Sequence, residues 1–483
     1  MTPRSRLDWY RGKNIHVLGL AGTEGSAVVD YLVGRGITTI TGHDMHSAAE
    51  FEREFDRTHQ WLDPGPRREA AQRLLAHPIA IRWRDHYLEG LEAAEVIFVP
   101  QSWFRHPQND PVKARRDRGV PLSSMTHLFF EESPCPIIGV TGTNGKFTVA
   151  YLIHQILERS GQRTFFSGND RSHIPVLYYL DRLRASDRLV LEISNRQLVG
   201  LPYSPPIAVV TNVAPHHLDD HGSMEAYVEV KANLLRYQGP EDVSVLNADN
   251  PYTMAMAAGA RHPHLFSRLH RVEPGAFIRE GSLVISRGGM EQSLPLAAVQ
   301  QPGAHAVENA LAAVLAASLA GASVPAMAEV LAEFRGLPYR LRLVAEAGGV
   351  RFFEDSLATN PAAAAAAIAS MDRPFILIAG GARPKATPAQ FAPMRAALQT
   401  APARLVLLIG ATAPQLAEAL AGLRAPVRVA DTLERAVGEA VLAAQRGDAI
   451  LLSPGCESFD QFRDYRERGD RFLDLVRKEL RAT

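Results

Sequence analysis

GVTGTNGKFT, residues 139–148, completes the apolar run PIIGV (136–140) and opens a helix near Thr148. A glycine-rich turn at the start of a helix aims several backbone N–H groups at one point, and the helix dipole favours negative charge there. Lys146 adds a charge placed to reach β- and γ-phosphates. The strict spacing of phosphate loops is broken twice: Val140 stands at the first glycine, and Phe147 replaces the hydroxyl residue beside the lysine, with Thr148 one step further on. On its residues alone the loop reads as a nucleotide-phosphate cradle, with an ordinary strand–helix turn as the alternative.

Outward from this loop, strands and helices alternate. On its N-terminal side NIHVLGL (14–20), the turn and helix AGTEGSAVVDYLVGRGI, and the strands TTITGHD (38–44) and AEVIFVP (94–100) form βαβ units and predict a parallel sheet. Residues 101–124 turn polar and basic, as surface loops do. A second segment opens near MTHLFF (125–130) and carries strands at RLVLEIS (188–194), IAVVTNV (207–213) and VSVLNA (243–248). Its helices are EAYVEVKANLL (225–235) and HAVENALAAVLAASLAG (305–321), the latter closed by Gly321. From GLPYR (336–340) a third segment alternates VRFFED, an alanine-rich helix, PFILIAG, RLVLLIG, VRVA and AILLS with helices. The reading is α/β with three domains. They are an N-terminal Rossmann-like domain over 1–124, a central P-loop ATPase-type α/β domain over 125–335, and a C-terminal Rossmann-like doubly wound domain over 336–483.

The 483 residues allow about three domains at roughly 150 residues each. Lys+Arg and Asp+Glu are both 52, so net charge gives no case for a nucleic-acid or acidic-membrane partner. No stretch has 18 or more consecutive apolar residues, which argues against a membrane span, and MTPRSRLDWYRGK lacks the apolar core of a secretory signal. Cys135 and Cys456 stand far apart, without metal-ligand spacing, which excludes a disulfide scaffold and a thiolate zinc site. A cytoplasmic chain is expected.

Further motifs follow the loop in order: LEIS with Gln197, TNVAPHHLDDH, Lys231, VLNAD, GAHAVEN (303–309), GLPYR, DSLATN (355–360) and SPGCESFDQFRDYRERG (453–469). With TGTNGK they resemble the Mur ligases, the ATP-dependent amide-forming enzymes of peptidoglycan precursor synthesis, over nearly the whole chain. The C-terminal stretch is similar to that of the members that add D-glutamate. The resemblance implies a monomer that joins UDP-MurNAc-L-alanine to D-glutamate at the expense of ATP, with two Mg²⁺ ions. A substrate carboxylate must attack the γ-phosphate to give an acyl phosphate, and an anion approaching a polyanion needs divalent cations and fixed positive groups.

The resemblance also implies roles for individual residues. Gly142, Thr143, Asn144, Gly145, Lys146, Phe147 and Thr148 would form the phosphate loop, with Asn169 lining the ATP site. Asn309 would contact adenine, Arg340 a phosphate, and Asp355 the nucleotide near its ribose. Glu192 would ligate one Mg²⁺, with Thr148 taking over the contact that Phe147 lacks; oxygen ligands suit this ion. His217 would ligate the second, and the lysine at the place of Lys231 is carbamylated in the family, a carboxylate-like ligand. Lys146, Glu192, His217, Lys231 and Arg340 form the implied catalytic set. Glutamate carries two carboxylates and needs donors at two places; Thr359, Lys385, Ser458 and Tyr465 would supply them. Thr23 and Asp44, around GLAGTEGS (19–26), would bind the UDP part.

Each position has a plainer reading. Glu192 reads as a surface carboxylate, His217 as a loop histidine, Lys231 as a solvated helix face and Arg340 as a linker charge. Thr359 and Ser458 read as helix caps, Ser458 for a helix over FDQF. The family pattern breaks at Phe147, at Leu357 where a lysine is usual, near Lys385 with Arg383 as a substitute, and in the loop 101–110. Three rivals stay open: a sister ligase adding L-glutamate or another amino acid, a nucleotide-binding regulator without catalysis, and a nicotinamide-dependent oxidoreductase resting on the first glycine turn.

Overall fold

The computed structural model describes residues 6–59, 61–168, 174–215, 218–301, 303–383 and 386–482. Packing divides the chain into two compact units, Met1–Leu296 with Glu308–Val330, and Ala297–Val307 with Leu331–Thr483. Three sheets run through it, parallel-rich and interleaved with helices, as the alternation of the sequence requires.

The first unit holds two of the sheets. β1 (Ile15–Leu18), β2 (Ile40–His43), β3 (Ala80–Arg82), β4 (Val96–Phe98) and β5 (Leu122–Ser123) lie in the order β3-β2-β1-β4-β5, all parallel. The chain leaves β1 toward β2 and returns to its other side at β4, so the glycine turn after β1 and the loop after β4 flank one crevice. That is where ligands settle in open parallel sheets. The second sheet contains β6 (Ile137–Thr141), β7 (Thr164–Ser167), β8 (Arg188–Glu192), β9 (Ile207–Val210), β10 (Val243–Asn247), β11 (Pro263–Ser267), β12 (Gly275–Arg279), β13 (Ser282–Arg287) and β14 (Met290–Pro295). Their order is β14-β13-β12-β11-β10-β9-β6-β8-β7, with the switch point between β6 and β9. All five residues of β6 are buried, as expected for a strand covered on both faces. One apolar cluster runs from Tyr10, Val17 and Phe98 through Leu128 and Phe129 to Val210 and Leu234, so both sheets share a continuous core.

The second unit holds β15 (Arg342–Ala347), β16 (Val350–Glu354), β17 (Phe375–Gly380), β18 (Ala403–Ile409), β19 (Val427–Asp431) and β20 (Ala449–Leu452) in the order β15-β16-β20-β17-β18-β19. Phe375, Leu377 and Ala379 feed one apolar cluster, Ile376 and Ile378 another, because successive side chains of a strand point to opposite faces. This is the two-sided packing of a doubly wound sheet.

Several features depart from the sequence reading, among them the helix Asp110–Asp117 and β5 where 101–124 reads as surface loop. The antiparallel extension β12–β14 was not anticipated, although its turns Glu280–Gly281 and Gly288–Gly289, all four at positive φ, are those of two-residue hairpins. The helix after the phosphate loop starts at Lys146, two residues before the expected Thr148. Both cysteines are buried and unpaired. Among the described residues no helix is long and apolar enough to cross a membrane.

Candidate active site

The phosphate loop stands at the switch point of the second sheet. Gly142, at φ +148, presses so closely on the end of β9 that an added Cβ would lie 2.0 Å from Thr211 Oγ1. Thr143 N–H donates to Asn212 O (2.8 Å), and Asn144 N–H to Asn212 Oδ1 (2.9 Å). Thr211 Oγ1 donates to Asn144 O at 2.6 Å. Gly145, at φ +80, caps the helix Lys146–Arg159 and makes no side-chain hydrogen bond to it. The helix thus starts at the loop with no capping side chain at Gly145, which is the geometry of an anion site. A Cβ on Gly145 would fall 2.2 Å from Asn309 Oδ1, so the expected adenine contact lies directly against the loop. Lys146 Nζ donates to Thr143 O at 3.1 Å, folded back over the turn.

Phe147 packs edge-on to Phe166 of β7 (5.1 Å between centroids), with Tyr151 alongside. It serves an aromatic cluster between helix and sheet, and Thr148 is half-buried one residue on.

Lys231 is not a solvated helix residue. It is 1% exposed on the helix Met224–Arg236, 4.7 Å over the Tyr227 ring, and its Nζ donates to Gly142 O at 2.7 Å. Burial holds its pKa well below the usual lysine value; the nearby Lys146 charge pushes the same way, and Glu192 opposes both. A lowered pKa favours the neutral amine, the form that carbamate formation with CO₂ needs. Glu192 ends β8 in register with Val140 of β6, so it stands at the same sheet edge as the loop. The three side chains at 146, 192 and 231 thus meet in one electrostatic group.

His217, Asn169 and Lys385 lie outside the described residues. The turn that follows His217, Leu218–His221, is tied to the turn that follows Glu192, Asn195–Leu198. Asn195 Nδ2 lies 2.7 Å from His221 Nε2, and Arg196 clasps Asp220 through two nitrogens at 2.9 and 2.7 Å. Arg105, from the altered loop 101–110, takes the other Asp220 oxygen at 2.9 Å. Among the described residues no three His, Cys, Asp or Glu side chains converge on one point.

The crevice of the first sheet opens into a cavity lined by Gly22, Thr23, Thr58, Gln101, Thr126 and Gln197, and it reaches Glu192. Thr23 lies in this wall and donates its hydroxyl to Thr58 O (2.8 Å). Asp44 is buried behind the glycine turn, where its carboxylate accepts Ala21 N–H (2.7 Å) and His46 N–H (2.9 Å). It holds the turn's shape.

In the second unit the ends of β16 and β20 bring together DSLATN and SPGCESF. Asp355 accepts Ser453 Oγ–H (2.6 Å) and Leu341 N–H (3.0 Å); burial pushes its pKa up to about 7, against the Ser453 bond and the Arg340 charge. Arg340 itself is exposed. The expected cap roles belong to other residues. Asn360, not Thr359, caps the alanine helix by accepting Ala363 N–H (3.0 Å), because its side chain sits at the position preceding Pro361 at N1. Ser458 opens a turn over FDQF rather than a helix; the final helix starts at Tyr465, and Asp464 accepts Arg466 and Glu467 N–H. Neither Thr359 nor the buried Ser458 is a helix cap. Tyr465 stacks edge-on with Tyr339.

Sequence reasoning missed Arg468. This side chain is fully buried and donates to Ser356 Oγ, Ser356 O, Cys456 O and Glu457 O at 2.9–3.1 Å, locking the two loops together. Burial lowers its pKa to about 10, so it stays charged at neutral pH.

Comparison with known proteins agrees with this architecture. Residues 140–317 match the Mur ligase middle domain, and residues 339–456 the Mur ligase, glutamate ligase domain. The chain belongs to the Mur ligase family of ATP-dependent ligases. Its relatives include a UDP-N-acetylmuramoylalanine–D-glutamate ligase from Symbiobacterium thermophilum, 39% identical over 95% of this chain and 97% of that one. Another, with the same name, comes from Acidobacterium capsulatum and is 35% identical over 96% of both chains. Among solved structures, the UDP-N-acetylmuramate-alanine ligase MurC of Thermotoga maritima matches 97% of this chain and 100% of its own, with a TM-score of 0.54 at 17% identity, a likeness of fold.

Proposed function

We propose that the chain joins D-glutamate to UDP-N-acetylmuramoyl-L-alanine, with ATP cleaved to ADP and phosphate, in the making of peptidoglycan precursors in the cytoplasm. The observation that carries this is the end-to-end match, at 39% identity, to a ligase named for that reaction. The buried Lys231 at the back of the phosphate loop supports an intact catalytic centre, since a chain that had lost catalysis would have no reason to keep a costly buried amine there.

In this reading the domains are 1–124 for the UDP-sugar, 125–335 for ATP and 336–483 for the amino acid, and the enzyme works as a monomer. The loop 142–148 and Lys146 hold the phosphates, with Asn169, Asn309, Arg340 and Asp355 around the nucleotide. The donors Glu192 and Thr148 are oxygens, as Mg²⁺ prefers; with His217 and a carbamate on Lys231 they would hold two such ions, which neutralise charge when carboxylate meets γ-phosphate. The fixed N–H groups of the loop and Lys146 orient the γ-phosphate for attack by the acceptor's carboxylate. Thr359, Lys385, Ser458 and Tyr465 hold glutamate so that its amine reaches the acyl phosphate, and Thr23 serves the UDP part, with Asp44 shaping the turn behind it.

The test is phosphate release with Mg-ATP and UDP-MurNAc-L-alanine, across D-glutamate, L-glutamate and a panel of other amino acids. Release that depends on D-glutamate supports the reading. Release with another amino acid, or none despite ATP binding, overturns it.

A further inference from the structure

The cavity at the first sheet's switch point contains a carboxyl group that the reaction above does not use. Glu24 sits in the first turn of the helix Thr23–Val33 and lines the cavity beside Thr23, while Glu192 lines it from the second sheet. The described lining has these two carboxyls and no lysine, arginine or histidine. Among the described residues Glu24 has a single hydrogen-bond donor: Gln101 N–H donates to its Oε2 at 2.6 Å. A carboxylate has room for about four donors, and the half-buried Glu24 faces the cavity with the remaining lone pairs. Burial pushes its pKa up to about 7.

Glu24 is also held in place. Gln101, whose backbone fixes the carboxyl, accepts the Ser194 hydroxyl on its side-chain Oε1 at 2.9 Å. Ser194 in turn caps the short helix that follows Glu192. A side chain fixed through its neighbour to the opposite wall is preorganised to meet a ligand, not to wave in solvent.

We propose that Glu24 is an acceptor-binding residue, taking a hydrogen bond from a hydroxyl or amide N–H of the acceptor's sugar–peptide part. This rests on the acceptor proposed above. An anionic phosphate would be repelled by this carboxyl, so the group that faces Glu24 itself is a neutral donor. Two carboxyls thus bracket the ligand, with Glu192 toward the phosphate loop and Glu24 toward the first glycine turn.

The experiment compares wild type, Glu24→Ala and Glu24→Gln for steady-state KM of UDP-MurNAc-L-alanine and of ATP, and for calorimetric binding of UDP alone. A hydrogen bond to a charged group corresponds to about a tenfold to hundredfold change. Both variants are expected to raise the acceptor KM by that factor, with the ATP KM and UDP binding within twofold. Glu24→Gln keeps the size and the oxygen for Gln101 N–H but turns a donor toward the ligand, so it fails even where the alanine variant folds poorly. An unchanged acceptor KM in both variants, recovery in Glu24→Gln, or a matching loss of UDP binding overturns the inference while leaving the ligase reading intact. Failure of wild type itself to turn over this acceptor overturns both.

Discussion

Replacing Arg468 tests whether one buried guanidinium builds the amino-acid end of the site. Its four hydrogen bonds run to Ser356 Oγ, Ser356 O, Cys456 O and Glu457 O. Glu457 O keeps a second donor, Ala382 N–H at 2.7 Å, so it stays satisfied in any variant. The other three acceptors have no second donor among the described residues and would be left buried and unpaired. Each such loss costs about 1–3 kcal/mol, and removing one side of a buried charged cluster about 3–5 kcal/mol in total. Part of this is returned, because the charge no longer has to be desolvated. For Arg468→Met the net expectation is about 3 kcal/mol, which for a unit of this size lowers its melting temperature by roughly 6–12 °C. Arg468→Lys keeps the charge but not the fork of donors, and should lose about half as much. The assays are thermal melting and KM for the amino acid against KM for ATP. Because the anchored loops carry Thr359 and Ser458, the amino-acid KM should rise about tenfold in the lysine variant, with ATP affinity unchanged. A lysine variant with wild-type melting and wild-type amino-acid KM would refute the reasoning, since the loops would then hold their shape without the fork.

Lys146→Ala should lower turnover at least a hundredfold, by loss of the charge on the phosphates, without shifting the melting temperature by more than a few degrees; activity near wild type would remove the phosphate-loop assignment. Lys231→Ala should be inactive yet partly restored by a short-chain carboxylic acid, read as phosphate release against added acetate or propionate, and full activity without additive would count against the carbamate. The buried pair His16–His43, with ring nitrogens 2.8 Å apart, has pKa values lowered to about 4 and about 3, chiefly by burial. Both rings are neutral in the fold, so their contribution is complete above the unfolded pKa of about 6.5 and is lost as pH falls toward 4. Denaturant melts between pH 7 and 4 should show a decline of a few kcal/mol that His43→Gln reduces; an identical pH slope in that variant would exclude the pair as its source.

How much of this was legible depended on how local each signal is. The phosphate loop was readable because its chemistry is contained in ten consecutive residues and its glycines are demanded by contacts as close as that of Gly142 with Thr211. The three sheets were readable from apolar runs, since a parallel strand buried on both faces has little choice of residue. Arg468 was not readable. It sits in an 18-residue helix crowded with charge, YRERGDRFLDLVRKELRA, where one arginine facing inward cannot be told from its solvated neighbours. Glu24 lies inside the glycine turn GLAGTEGS, a pattern that points to N–H groups rather than to an acid among them. The β12–β14 hairpins had a usable signal in their EG and GG turns, but the alternating polar residues of β14 weaken the strand pattern.

Two departures from the family pattern, Phe147 and the loop 101–110, become intelligible through their contacts. Phe147 costs the loop a hydroxyl, and in exchange the ring joins Phe166 and Tyr151 in fixing the first helical turn against β7. The loop 101–110 replaces the usual sequence with residues that bind across to the second sheet: Gln101 to Ser194, and Arg105 to Asp220. Asp220 is held from the other side by Arg196, so a loop of the first sheet and the turn after Glu192 grip the same carboxylate. A change that merely eroded function would leave such side chains scattered in solvent. Here Gln101 and Arg105 converge on the two turns that follow Glu192 and His217, which places this part of the variation in contacts that brace those turns.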